Sequence, residues 1–177
     1  MNSFYITMKI NSILILSALT IILSSCGYTL QGRANLPSNI KSVSVSIFKN
    51  RSSIVSAEML FTNALIKELM RSSNVKVITD NNSADAVIYG TIASISFDAL
   101  ARTSGDIVYK RGINAVLDIE IKSRTGDIIF SLNKFTESES YDVIHQNSID
   151  ETVIKSTLER IAYRIARRFV SQMIDNF

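Results

Sequence analysis

The chain has 177 residues, and its 19 Lys and Arg against 16 Asp and Glu give a net charge of +3. That excess is too small to indicate a nucleic-acid partner by charge alone. With one histidine, His145, and one cysteine, the chain cannot supply the usual zinc ligand sets. It also carries no G-x-S-x-G, P-loop or dinucleotide-binding motif. We therefore expect a non-catalytic protein without a metal ion or a cofactor.

The N-terminal segment has the pattern of an exported lipoprotein. An apolar run of about 14 residues, Ile10–Leu23, suits the hydrophobic region of a signal peptide and is short for a membrane-spanning helix. Two serines then precede Cys26, which is the arrangement of a lipobox. We predict that residues 1–25 are a cleaved lipoprotein signal peptide and that the Cys26 thiol carries a covalent lipid.

The residues after Cys26 predict where the protein is anchored. Residues 26–39 are polar and irregular, and we expect them to form a lipidated tether. Gly27 follows the cysteine, and the lack of Asp at this position favours the outer membrane over retention at the inner membrane. The acyl chains, palmitate included, would hold the protein at the periplasmic side of that membrane. The remaining residues, 40–177, have the length of one domain.

The first half of the domain predicts a strand, a helix and a short strand. Lys41–Phe48 alternates apolar and polar residues and is typical of a half-buried strand. Its predicted buried residues are Val43, Val45 and Ile47. Apolar residues then recur every four positions, which predicts an amphipathic helix from Ser56, as the N-cap, to about Arg71. Val75–Thr79 is predicted to be a short strand.

Three long strands and a second helix complete the prediction. The strands are Ala86–Phe97, Ile107–Ser123 and Ile128–Tyr141. Gly90 inside the first strand predicts a bulge or a close approach of another backbone. A change of phase between Leu132 and Phe135 predicts a bulge in the third. The last element is a helix over Ile149–Met173, with an apolar stripe on one side and arginines on the other.

These elements predict the fold class. Two helices that are each apolar along one stripe need one face of one sheet. We therefore predict an α+β, two-layer sandwich in which two helices pack on one face of a mixed, mostly antiparallel four- to five-stranded sheet. The other sheet face would be polar.

Charged residues on these elements offer several candidate sites. The carboxylate pairs Asp118/Glu120 and Glu137/Glu139 interleave with Lys and Ser, which favours solvated strand faces over acid–base catalysis. The last helix carries four arginines, Arg160, Arg164, Arg167 and Arg168. They form either a solvated face or a docking surface for acidic groups or lipid phosphates. A second basic group comprises Arg102, Lys110 and Arg111, with Lys122 and Arg124 near the next turn. Arginine forks there could hold a phosphorylated glycolipid, with ordinary loop charges as the alternative.

Several motifs together resemble one family. They are CGYTLQG at Cys26–Gly32, Leu36-Pro37, the strand ending Ile47-Phe48-Lys49-Asn50-Arg51, and ADAVIYG at Ala84–Gly90. This combination resembles the LPS-assembly lipoproteins of the LptE family over most of residues 26–177. The resemblance implies two helices on a sheet. It also implies an outer-membrane lipoprotein that plugs and helps assemble the LptD β-barrel and binds lipopolysaccharide for delivery to the outer leaflet.

The resemblance also implies a binding residue. The loop carrying Arg102 corresponds to a region where family members present basic residues to the glycolipid, and we add Lys110 and Arg111 from their charge and position. The family's other basic positions, near the start of the last helix, are not matched, since Ile144-His145-Gln146 stands there. The alternatives are another envelope lipoprotein, such as a curli-type (CsgG-like) secretion subunit or a periplasmic adaptor. A lipid-anchored hydrolase would lack a nucleophile–base pair.

Overall fold

The computed structural model describes residues 40–72, 75–102, 108–143 and 151–176. The predicted signal peptide, Cys26, the tether and His145 lie outside these residues, so those predictions stay predictions. The elements in chain order are β1 (Ser42–Val45), β2 (Lys49–Asn50), α1 (Ala57–Ser72), β3 (Lys76–Val77), β4 (Ala86–Arg102), β5 (Val108–Ser123), β6 (Ile128–Asp142) and α2 (Glu151–Asp175). Within the described ranges no helix has the length and apolar character needed to cross a membrane.

All the strands within the described residues belong to one sheet, in the order β3-β1-β4-β5-β6, with β2 also paired to β4. The pairings of β1 with β3 and β4, and of β2 with β4, are parallel and short. The pairings of β5 with β4 and β6 are antiparallel and run along nearly the whole of these strands. The α+β class and the mixed, mostly antiparallel sheet are therefore confirmed. The sheet has six strands because the predicted first strand is divided.

The division of the first strand also changes which residue is buried. Val45 pairs with Ile88 and Lys49 pairs with Thr91, so β1–β2 contains one more residue than the matching part of β4. An extra residue reverses the alternation of faces that follows it. Ile47, predicted to be buried, is 62% exposed, and Phe48 enters the core instead. The prediction for Ile47 is therefore wrong.

Gly90 makes room for that phenylalanine. A Cβ built on Gly90 would lie 2.4 Å from ring atoms of Phe48. The Phe48 backbone N–H also donates to Thr62 Oγ1 of α1 at 3.0 Å, which fixes the residue between the sheet and the helix. A close approach does occur at Gly90, but the approaching group is a side chain and not the predicted backbone.

The helices cover one face of the sheet, as predicted. The apolar stripes of α1 and α2 are buried together with alternate residues of β5. The buried residues of these three elements include Phe61, Leu65 and Leu69, then Leu158, Ile161, Ile165 and Phe169, and then Ile113, Ala115, Leu117, Ile119 and Ile121. The opposite face of β5 carries polar and half-exposed residues. The two-layer arrangement is confirmed.

The predicted bulge in β6 is present. The β5–β6 register moves from Leu117 opposite Phe135 to Ile119 opposite Leu132, so β6 has one extra residue there. Lys134 takes the left-handed conformation, with φ of 54°, and its N–H donates to Asp118 Oδ1 at 2.8 Å. The bulge lets both halves of β6 keep their apolar side chains toward the helices.

A carboxylate ties the start of β1 to the start of β4. Asp85 Oδ2 accepts hydrogen bonds from the backbone N–H of Lys41 at 3.0 Å and of Ser42 at 2.9 Å, and from the Ser42 hydroxyl at 2.9 Å. These donors, the Lys41 N–H foremost, hold the pKa of Asp85 below its usual range. They stabilise the ionised carboxylate.

Candidate functional site

The sheet continues beyond the part that the helices cover. From Ser96 to Arg102 no residue of β4 is buried, although Ile95 before them belongs to the core. This far end of the sheet is formed by the end of β4, the start of β5 and the end of β6. All three basic residues predicted from the sequence lie there.

The strand geometry divides these three residues. Arg111 lies between Ala99 of β4 and Tyr141 of β6, whereas Lys110 lies between Ala101 and Asp142. Successive side chains of a strand point to opposite faces, so Arg111 shares the helix-side face with Ile113, and Lys110 points to the open face. Arg102 is exposed at the last position of β4, opposite Val108. The three residues therefore share one end of the sheet but not one face.

The helix-side face of this end opens into an apolar groove of about 780 Å³. The first residues of α1 and α2 form one side, and the sheet forms the other. Its lining comprises Ser53, Ile54, Val55, Ser56, Ala57, Leu60, Phe97, Arg111, Tyr141, Glu151, Ile154, Lys155 and Leu158. Val55 is 89% exposed and Phe97 is 37% exposed, so large apolar side chains meet solvent here. Such exposure is typical of a surface that binds an apolar partner.

The alternation of residues in the strands explains this lining. Phe97 pairs with Ile113, and Arg111 lies two residues before Ile113 in β5, on the same face of the sheet. The helix-side face of the sheet therefore continues beyond the part that the helices cover, and there it is formed by Phe97, Arg111 and Tyr141. Burial of β5 in alternate positions was predicted from the sequence, and extending that alternation to Arg111 would have placed this residue on the helix side.

Lys155 is a site residue that the sequence analysis missed. It lies in the first turns of α2, next to Ile154 and three residues before Leu158, and all three line the groove. Lys155 lies beside the apolar stripe of α2, and that position is the signal that could have identified it. The groove thus has a basic residue on its sheet wall and another on its helix wall, with Glu151 as the acidic lining residue.

The arginines of α2 meet an acidic surface of their own chain. Arg164 Nε donates to Glu137 Oε1 at 2.8 Å and Arg164 Nη1 donates to Glu139 Oε2, while Arg168 Nη1 donates to Glu137 Oε2 at 2.5 Å. Arg160 contacts Glu139 at 3.4 Å. We call these three arginines the arginine ladder. Hydrogen bonds from Arg164 are the main cause that holds the pKa of Glu139 below its usual range.

The carboxylate pairs are accounted for by these contacts. Glu137 and Glu139 lie on the helix side and are held by the arginine ladder, so the predicted solvated face is wrong for this pair. Asp118 accepts the N–H of Lys134 at the bulge, and Glu120 pairs with Lys122 at 2.7 Å. Within the described part of the chain, no cluster of His, Cys, Asp and Glu could hold a metal ion.

Comparisons with known structures agree with this fold. Rare lipoprotein B from Shewanella oneidensis is similar with a TM-score of 0.54 and 15% identity, over 76% of this chain and 95% of that chain. An uncharacterized lipoprotein B from Nitrosomonas europaea is similar with a TM-score of 0.50 and 14% identity, over 85% and 96% of the two chains. The hypothetical protein CT253 from Chlamydia trachomatis has a TM-score of 0.50 and 12% identity, over 77% and 99%. At these identities the likeness concerns the fold alone.

The sequence comparisons identify the family. A search of curated proteins finds no significant match. The family model described as "LptE: Lipopolysaccharide-assembly" matches residues 40–177, which is the whole of the predicted domain. The resemblance seen in the N-terminal motifs and the two-helix fold point the same way. The chain therefore belongs to the LptE family of lipopolysaccharide-assembly lipoproteins.

Proposed function

We propose that this chain is a non-catalytic outer-membrane lipoprotein, anchored through Cys26, that binds lipopolysaccharide at the far end of the sheet. In this role it plugs and helps assemble the LptD β-barrel and delivers the glycolipid to the outer leaflet. Family membership supports the assembly role. The observation that carries the binding role is the apolar groove with Arg111 on one wall and Lys155 on the other.

The chemistry of the groove suits a phosphorylated, acylated ligand. Its volume of about 780 Å³ lies within the range of ligand pockets, roughly 300–1,000 Å³. Each methylene buried in such a site contributes about 0.8 kcal/mol, so part of one acyl chain is enough for substantial affinity. The Arg111 guanidinium can bind a phosphate with two parallel hydrogen bonds, and Lys155 adds a point charge opposite.

The three basic residues predicted from the sequence would contribute differently. Arg111 lines the groove, and Arg102 lies at the tip of the sheet, where the phosphorylated headgroup would emerge. Lys110 points to the open face and would contact the same ligand only around the end of the strands. We therefore propose all three as lipopolysaccharide contacts, with Lys110 contributing least.

Charge-reversal variants test this proposal. We expect Arg111→Glu to weaken binding of purified lipopolysaccharide about tenfold or more, because a charge-assisted hydrogen bond contributes about 1.5–3 kcal/mol. Lys110→Glu changes the adjacent residue on the other face and should weaken binding less. Arg124→Glu changes an exposed arginine at the opposite end of β5 and should leave affinity unchanged.

The binding assay is fluorescence titration or photocrosslinking of the full-length lipoprotein in detergent, with circular dichroism as the check on folding. Equal effects of the three substitutions would reject the groove as the site, since they would report only overall charge. Wild-type affinity of the Arg111→Glu variant would reject the role of Arg111.

Co-purification from solubilised outer membranes tests the barrel partner. A barrel lumen is polar, which matches the open sheet face with its serines, threonines and asparagine. We expect a large β-barrel to co-purify in a one-to-one ratio. A homo-oligomeric ring without a barrel would support the curli-type alternative, and a turnover lost on changing one carboxylate would support an enzyme.

A further inference from the structure

Among the residues that the structure describes, no further strand lies beside the outer edge of β6, which is long. β6 is the last strand in the sheet order, and it has 15 residues, whereas strands commonly have about 5–6. An edge strand presents unpaired N–H and C=O groups that can pair with another chain. A straight edge of this length would be a strong template for such pairing.

Two arginines of the ladder occupy two carbonyl groups near the middle of this edge. Arg164 Nη2 donates to the Ser138 carbonyl oxygen at 2.8 Å, and Arg168 Nη1 donates to the Thr136 carbonyl oxygen at 3.2 Å. The guanidinium groups thus take acceptors that the N–H groups of an added strand would need. These contacts are independent of the groove at the far end of the sheet.

The spacing of the two elements makes the ladder possible. Four residues of a helix rise about 6 Å, and two residues of a strand rise about 6.8 Å. Arginines four residues apart on α2 therefore meet residues two apart on β6. Glu137 and Glu139 hold the guanidinium groups in place from the helix side, and Arg168 also lies 4.7 Å from the centre of the Phe135 ring.

The bulge protects the edge at the next position. Lys134 has a positive φ, so the backbone before Phe135 does not continue the regular hydrogen-bonding pattern. A regular strand could not pair with both halves of β6 at once. The bulge and the ladder together cover residues 134–138 of the edge.

We propose that Arg164 and Arg168 of the arginine ladder close the outer edge of β6 to strand addition, and that the excluded partner is the β6 edge of a second copy of this chain. Two identical edges can pair antiparallel around a twofold axis, which makes a second copy the partner always present at equal concentration. The contacts of Arg164 and Arg168 with the backbone carbonyls carry this proposal. It is independent of lipopolysaccharide binding.

A matched pair of double variants tests the proposal. Arg164→Met with Arg168→Met removes both carbonyl contacts, and we expect the full-length protein in detergent to dimerise at least about tenfold more tightly than wild type. Arg160→Met with Arg167→Met removes the same charge from the same helix without touching these carbonyls, and it should behave as wild type. Sedimentation velocity measures the association.

Hydrogen exchange shows whether the new contact uses the edge. In the dimer, the backbone amides of Thr136, Ser138 and Ser140 should gain protection. A folded Arg164→Met/Arg168→Met variant that stays monomeric, or that associates without this protection, would overturn the proposal. If that variant does not fold, Arg164→Lys with Arg168→Lys keeps both charges but replaces each guanidinium by a single ammonium group on a shorter side chain, which cannot hold both the carboxylates and the carbonyls, and it should show the same protection. Its failure to dimerise would equally overturn the proposal.

Discussion

Replacing Gly90 with Ala would place a methyl group in steric overlap with the ring of Phe48. The added Cβ would lie 2.4 Å from two ring atoms, at least about 1 Å closer than the ~3.5 Å separation that carbon atoms prefer. The ring is only 3% exposed, and its backbone is held by Thr62, so it cannot turn into solvent without leaving the core. We expect a loss of about 1–3 kcal/mol in the free energy of unfolding, the usual cost of overpacking.

Urea unfolding followed by circular dichroism measures this loss. The lower conformational entropy of Ala in the unfolded chain offsets only about 0.4–1 kcal/mol. Gly112→Ala is the control, because its Cβ would meet Leu100 at 3.1 Å and that side chain is 56% exposed and able to move. Gly112 itself is buried, but the exposed Leu100 side chain can make room for the new methyl group, so we expect a change below about 0.5 kcal/mol for the control.

A double-mutant cycle separates the steric contact from other effects of Gly90→Ala. Phe48→Leu is destabilising by itself because it shortens a core side chain. In that background Gly90→Ala should cost at least about 1 kcal/mol less, since contacting residues show coupling energies of about 0.5–3 kcal/mol. An equal cost of Gly90→Ala in both backgrounds would refute the reasoning, because it would show that the ring does not meet the new methyl group.

Three further substitutions test the core and the pH dependence of stability. Leu158→Asp places a charge in the buried helix–sheet core and should lower the free energy of unfolding by more than about 4 kcal/mol, which leaves little folded protein. Glu159→Gln, on the exposed side of the same helix, should be neutral. A Leu158→Asp variant that is soluble and folded by circular dichroism would contradict this prediction. Ser44→Ala removes a buried hydroxyl for which the described residues supply no hydrogen-bond partner, and it should leave the urea midpoint unchanged or higher; a clear fall would reveal a partner. Asp85 has a lowered pKa in the fold, so its stabilising effect is present above its unfolded pKa and is lost as the pH falls below about 4. Asp85→Asn should therefore be less stable than wild type at pH 7, and the difference should narrow toward pH 3; a difference independent of pH would contradict the assignment.

The sequence was sufficient to predict the elements whose pattern is regular. Alternation in β5 and the four-residue repeat of α1 each extend over many positions, so one face is defined without knowledge of the neighbours. The predicted burial of Ile47 is wrong because the extra residue before β2 is visible only when the strand is aligned with β4. An insertion of one residue leaves the local pattern intact while reversing the face of every later side chain.

The candidate site was less predictable, because its residues come from distant segments. Charge and position along the chain put Lys110 and Arg111 in one basic group with Arg102, yet neighbouring residues of a strand have side chains on opposite faces. Lys155 belongs to the groove only because the start of α2 lies over the end of the sheet. The contacts of Arg164 and Arg168 with β6 likewise depend on the packing of the last helix. No local pattern reports such packing.

The position of β1 in the sheet has a consequence for the order of folding. β4, β5 and β6 are joined by short connections and pair with their neighbours in sequence, so little chain entropy is lost when they associate. β1 lies between β3 and β4, and its residue Val43 must pair with Ala86, from which it is separated in sequence by the whole of α1. Pairings between distant segments form slowly. We therefore expect the three antiparallel strands to form first, so the segment nearest the predicted lipid anchor is the last part of the domain to become protected from proteolysis.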